Sequence, residues 1–190
     1  ERAAERTPTA SPRTRSEGDL VIVPLPEATL AVVDALARRH GLTPFMVLLA
    51  AFDVMLGRYA GTTDVAVGTP VANRRDRESE TLVGTLVNTL VLRTDLSGGP
   101  TFLEVLGRVR ETCLGAYANQ DVPFERLVAE LATSHALDHA PLVQVMFDHQ
   151  TIRLPHGSIA GLEVEGRPME RRGAQFDLAC SIANMGRETL

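Results

Sequence analysis

TPFMVLLAAFDVMLGRYAGTTDVAVGTPV, residues 43–71, changes its hydrophobic period half-way along. Thr43 followed by Pro44 is an N-cap and a proline at the first helical position. Phe45, Leu48, Leu49, Phe52, Met55 and Leu56 then recur at helical spacing. Val47, Ala50, Ala51 and Val54 occupy the other faces, so the helix is apolar almost all round and is expected to be central and buried. Tyr59 and Gly61 mark its end. Residues 64–71 (DVAVGTPV) then read as a strand ending in a Gly-Thr-Pro turn. A buried helix feeding straight into a strand argues for an α/β layer structure.

The flanking sequence extends that pattern. Upstream, residues 20–25 (LVIVPL) read as a short strand. Pro26-Glu27 opens a helix with Leu30, Val33, Leu36 and Ala37 on one face, stopped at Gly41. Downstream comes a charged loop, residues 73–80 (NRRDRESE), and a strand from Gly84 to about Leu96. After a turn at residues 97–100, Thr101 caps a helix whose inner stripe is Phe102, Val105, Leu106, Val109 and Cys113. Pro123 starts a shorter helix carrying Phe124, Leu127, Val128 and Leu131. Residues 142–148, 159–164 and 176–182 read as three late strands. The expected fold class is α/β, a mixed sheet flanked by helices, because late strands without long crossovers argue against a purely parallel sheet.

The chain has 190 residues, enough for one cored domain or one lobe of something larger. Its net charge is -5 and it has no large basic block, so neither nucleic acid nor an anionic membrane is an expected partner. All 19 basic residues are arginine, which excludes lysine-based Schiff-base and P-loop chemistry. Cys113 and Cys180 form no C-x-x-C motif; a reducing, cytoplasmic setting fits. No stretch reaches the ~18 apolar residues of a membrane span. Residues 1–19, rich in Arg, Glu, Ser and Pro, read as a linker, and residues 20–190 as the folded lobe.

Three polar groups stand out as candidate site residues. Asn88 and Thr89 interrupt an otherwise apolar strand and need partners. Locally, Asn88 would mark a bulge or strand start and Thr89 is simply a good strand former. Gln120 and Asp121 sit at a helix–helix corner, where Asp121 can cap the helix that Pro123 begins. Arg74 belongs to a charged loop that is usually a solvated face, unless one arginine turns inward to meet a facing lobe. His40 suits a helix C-terminus. His135 and His139 are four apart but lie in a turn-like segment, so no metal site is expected. There is no G-x-S-x-G, G-x-G-x-x-G or P-loop, and no obvious catalytic constellation.

Taken in order, LVGTLVNTLVLRTDL, YANQDVPFERLV and LDHAPLVQVMFDHQ resemble three late motifs of non-ribosomal peptide synthetase condensation domains. Residues 43–74 resemble the helix, strand and loop preceding them. The likeness covers roughly residues 20 to 185. It implies one lobe, the C-terminal one, of a two-lobed chloramphenicol-acetyltransferase-like fold with a tunnel between the lobes. The family's H-H-x-x-x-D-G motif does not occur here, so the resemblance puts the catalytic histidine in the N-terminal lobe and no catalytic residue in this chain. The implied partners are that lobe, peptidyl carrier proteins and neighbouring synthetase domains. No cofactor is bound directly; the substrates ride on the carriers' phosphopantetheine arms. Asn88, Thr89 and Arg74 become expected substrate-binding residues, and Gln120 and Asp121 expected latch residues. Two positions depart from the family pattern: Thr85-Leu86, where an aromatic is common, and Ala136-Leu137-Asp138, where an Arg-Asp pair usually opens the motif. Since the chain holds no catalytic constellation, a docking module binding a carrier protein or a tailoring enzyme is the alternative.

Overall fold

Two helices, α1 (Glu27–His40) and α2 (Pro44–Ala60), meet at a 108° bend. The bend forms because Gly41 adopts the left-handed conformation, φ 62°, that ends α1, and Thr43 caps α2 by accepting from the Met46 N–H at 3.3 Å. The computed structural model describes residues 18–74, 76–131, 142–151, 157–159, 162–164 and 173–184. The chain continues as β1 (Asp64–Val71), α3 (Arg77–Glu80), β2 (Asn88–Asp95), α4 (Phe102–Ala118) and α5 (Phe124–Leu131). Four strands follow: β3 (Val145–Thr151), β4 (Gly157–Ile159), β5 (Leu162–Val164) and β6 (Leu178–Asn184).

The main sheet has the order β2-β1-β3-β6 and is mixed. β1 and β2 are antiparallel, in register from Asp64 opposite Asp95 to Val71 opposite Asn88. β3 is parallel to β1 at Gly68–Met146, and β6 parallel to β3. Gly68 leaves room there for the Met146 side chain: a Cβ would come 2.4 Å from Met146 Sδ, and the methionine would have to shift. α2 and α4 pack on one face of the sheet, burying Leu49, Val67, Leu92, Val105, Val109 and Phe147 between them. Phe147 stacks on Phe52 at 5.1 Å between ring centroids.

α2 is the core helix, although it keeps one stripe outward: Ala51, Met55 and Tyr59, spaced by four, are exposed. Four sequence expectations are corrected. Residues 20–25 form no strand; Leu20 to Val23 are exposed and no neighbouring strand accompanies them in either sheet. β2 starts at Asn88, not Gly84, because its partner β1 ends opposite at Val71 and leaves residues 84–87 nothing to pair with. The strand expected over 159–164 is instead the small hairpin β4–β5. The strands expected over 142–148 and 176–182 are β3 and β6, shifted towards the C-terminus. Residues 1–17, His135, His139 and the 136–138 departure lie outside the described residues.

The edge strand β2 is covered rather than open. Thr112 of α4 donates to the Arg93 carbonyl at 3.2 Å, and Arg108 to the Asp95 carbonyl at 2.7 Å. Among the described residues no single helix is long and apolar enough to cross a membrane.

Candidate functional site

The end of the sheet where β1 stops and β2 starts is where chemistry-bearing side chains gather. β3 runs parallel to β1 and delivers its last residues to the same end. A cavity of about 500 Å³ opens there. Phe45, Pro70 and Val87 give it apolar walls. Thr43, Thr69, Tyr117, Asp148, His149 and Gln150 supply the polar groups. This combination, mostly apolar walls with a few convergent polar groups, is what small-molecule sites present. Asp148 is held in place from two sides: Gln150 Nε2 donates to one carboxylate oxygen at 2.9 Å and the Ser181 hydroxyl to the other. Burial pushes the Tyr117 hydroxyl pKa up, with a smaller push from Cys113, so Tyr117 stays a protonated donor. A larger, shallow groove of about 730 Å³ lies along β2 and α4. Its cations are already committed, Arg93 to Asp64 and Arg108 to backbone carbonyls, so we place no site there.

Asn88 follows the cavity-lining Val87 in the chain without lining the cavity itself, and its side chain is fully occupied. Nδ2 donates to the Gln120 carbonyl at 2.8 Å and to the Val122 carbonyl at 2.9 Å. Oδ1 accepts from the Phe124 N–H at 3.0 Å and the Thr89 N–H at 2.9 Å. A carboxamide has two donors and one oxygen with two lone pairs, so none is left for a ligand. The pattern also fixes the amide's orientation, since a flip would set oxygen against two carbonyls. Asn88 thus pins the start of β2 to the α4–α5 corner and meets the first N–H of α5. Gln120 takes part through its backbone carbonyl, and Asp121 is exposed in the same corner. Thr89, half-buried, lies opposite Pro70 in the ladder.

Arg74 turns onto its own loop rather than outward. Its guanidinium donates to the carbonyls of Leu82 at 2.9 Å and Gly84 at 3.0 Å, and also to that of Ser79. Asn73, just before it, takes φ 51°, a left-handed turn that asparagine tolerates. Asp76 and Ser79 close α3 with a reciprocal capping box, and those bonds hold the Asp76 carboxyl below its ordinary pKa. The loop is therefore braced, and it displays Leu82, Val83 and Val87 to solvent beside the cavity. Asp148, His149, Gln150 and Tyr117, which line the cavity, are candidates that the sequence reading did not single out. The signal was present: a polar triplet ends an apolar strand at residues 148–150. Among the described residues, no three His, Cys, Asp or Glu side chains are grouped to hold a metal.

The mixed four-strand sheet backed by helices is that of one lobe of the chloramphenicol-acetyltransferase-like fold. The family model for the condensation domain matches residues 4–189, and the chain belongs to that family. It is 44% identical over 183 residues to a linear gramicidin synthase polypeptide of Brevibacillus parabrevis, covering 94% of this chain and 2% of that protein. The X-domain in its complex with OxyB from teicoplanin biosynthesis superposes with a TM-score of 0.75 at 30% identity, over 94% of this chain and 38% of that one. The first condensation domain of the calcium-dependent antibiotic synthetase shares the fold, with a TM-score of 0.70 at 22% identity, over 88% of this chain and 36% of that one. The chain therefore spans a small part of the relatives it matches.

Proposed function

We propose that this chain is the acceptor-side, C-terminal lobe of a condensation domain that forms a peptide bond between two carrier-bound thioesters in non-ribosomal peptide synthesis. The observation that carries this reading is the cavity at the open sheet end, on a chain matched along nearly its whole length by the condensation-domain family. In that reaction the amine of the acceptor aminoacyl thioester attacks the carbonyl of the donor thioester. The amide C–N bond forms, the donor C–S bond breaks, and the amine proton leaves as the thiol is released. The lobe's contribution is placement. Holding both thioester ends at one point recovers much of the entropy cost of a bimolecular step. The general base would come from the N-terminal lobe, outside this chain.

Within this reading Asn88 and Arg74 act on substrate indirectly. Asn88 sets the α4–α5 corner beside the cavity, and Arg74 braces the loop at its rim. Thr89 remains a substrate-facing candidate, and Gln120 and Asp121 hold the corner from which a latch would cross to the other lobe. The carriers' phosphopantetheine arms would bring the substrates, and neighbouring synthetase domains would be partners. A cytoplasmic setting, where synthetases meet ATP and aminoacyl carriers, fits the two free cysteines.

The test is condensation by the whole domain that contains this chain, supplied with a loaded donor carrier and a loaded acceptor carrier. Amide product by mass spectrometry supports the reading. A second reading is favoured by one observation: the X-domain solved in complex with OxyB resembles this chain at higher identity than the condensation domain does. Saturable binding of a tailoring enzyme or a carrier protein, without any amide product, would establish docking instead.

A further inference from the structure

The core holds a carboxyl group that neither reading uses. Asp53, in the middle of α2, has no solvent exposure, and neither of its oxygens makes a well-formed hydrogen bond. Facing it from β2 is Thr94, also fully buried, whose hydroxyl is close enough to act only as a weak, poorly aligned donor to it. From α4 comes Cys113, fully buried as well. The three groups form a buried polar cluster where α2, β2 and α4 meet. We propose that Asp53 keeps its proton in the folded lobe through the mildly acidic range and gives it up only as the pH passes neutrality, and that losing it loosens the packing of α2 against β2 and α4.

A buried carboxylate needs a cation or several donors, and this one has neither. Arg93 is next to Thr94 in sequence, but alternation along the strand points it to the opposite face, where it pairs with Asp64. On α4, Arg108 is spent on the Asp95 and Ser97 carbonyls at and just past the end of β2, and Arg110 on Glu111. The other elements that pack on α2 bring apolar groups to the core: Ala37 from α1, Val65 and Val67 from β1, and Phe147 from β3. The cationic residues of α1, Arg38, Arg39 and His40, are exposed at its C-terminus. Desolvation accordingly pushes the Asp53 carboxyl up to about 7, with the Thr94 hydroxyl opposing part of the rise. Desolvation, with a smaller push from Asp53, raises the Cys113 thiol to about 11, so it stays neutral.

Proton linkage sets the sign of the effect. In the unfolded chain Asp53 titrates near its ordinary value of 3.8. Between there and about 7 the unfolded chain has lost this proton and the folded one has kept it. Stability from this group therefore falls as pH rises, by about tenfold in the unfolding constant per pH unit. Below the window the effect vanishes, and above it the effect levels off. Asp64, Asp76, Asp95 and Glu104, all held below their ordinary values by partners, act in the opposite direction at lower pH. They are common to every variant and cancel in a difference.

The experiment is urea unfolding of this chain at several pH values from about 4.5 to 8, comparing wild type with Asp53→Asn and Asp53→Leu. The expected result is a wild-type unfolding constant that rises at least a hundredfold relative to either variant across the range, then stops rising above neutrality. Parallel pH profiles, or a difference of the opposite sign, would overturn the proposal. If both variants fail to fold, Thr94→Val decides. It keeps the acid and removes the hydroxyl that opposes the rise, so the falling limb must extend to higher pH than in wild type. An unmoved limb sinks the idea.

Discussion

Asn88 is one side chain that replaces a short stretch of secondary structure. Its four hydrogen bonds satisfy two carbonyls and two N–H groups at a corner with no ladder of its own. Each such bond contributes about 1 kcal/mol net, less where water can substitute. Asn88→Ala should therefore cost the chain about 2–3 kcal/mol, or a fall in Tm of roughly 5–10 °C for a domain of this size. Asn88→Asp keeps both acceptor bonds and sets a carboxylate against the Gln120 and Val122 carbonyls. It should be no more stable than the alanine variant despite its closer shape. A scanning calorimeter settles both; Tm values within 1–2 °C of wild type would mean that Asn88 pins nothing. The sequence shows that Asn88 needs partners, but not which ones. Gln120, Val122 and Phe124 lie 32 to 36 positions away, and pattern reading carries no information about such a contact. Arg74 is similar: its residue type was visible in the loop, its three carbonyl partners were not.

Elements were legible where caps and periodicity agreed. Thr43-Pro44, Gly41, Gly61 and Thr101 bound α1, α2 and α4 as expected, because capping is local chemistry. Strand limits failed where they depend on a neighbour: β2 stops pairing where β1 ends, whatever residues 84–87 prefer. Residues 20–25 have strand composition and no partner strand. Helical glycines give a sharper test of packing over propensity. Glycine in a helix interior is about 1 kcal/mol worse than alanine. On α4, a Cβ at Gly107 would meet nothing within 4 Å, so Gly107→Ala should stabilise by about 0.5–1 kcal/mol. On α2, a Cβ at Gly57 would lie 2.7 Å from Leu96 Cδ1 and 2.9 Å from the Thr62 carbonyl oxygen. The leucine tip can move, but the carbonyl belongs to the turn after α2. Gly57→Ala should therefore destabilise by about 1–3 kcal/mol, the usual cost of overpacking. Urea midpoints moving the same way for both variants would contradict the close approach of α2 to this turn.

At the scale of the whole molecule, a loop that exposes several apolar side chains is also firmly braced. Arg74 holds the loop by its carbonyls, and Leu82, Val83 and Val87 face outward beside the cavity, Val83 without any protein contact over its side chain. Ordering a loop only to expose valines has no benefit for the isolated chain; it makes sense if another surface covers them. In the proposed domain that surface is the N-terminal lobe. Val83→Asp separates the two cases. In this chain alone the substitution touches nothing, and its stability should stay within about 0.5 kcal/mol of wild type. In the whole domain it would bury a charge without a partner, which costs enough to weaken lobe closure by at least about tenfold. Amide formation between loaded carriers should fall accordingly, with the variant chain as stable as before. If condensation by the Val83→Asp domain equals wild type, the loop is not an inter-lobe contact. A docking role for the exposed loop would then have the stronger claim, and saturable binding of a tailoring enzyme, lost in the same variant, would establish it.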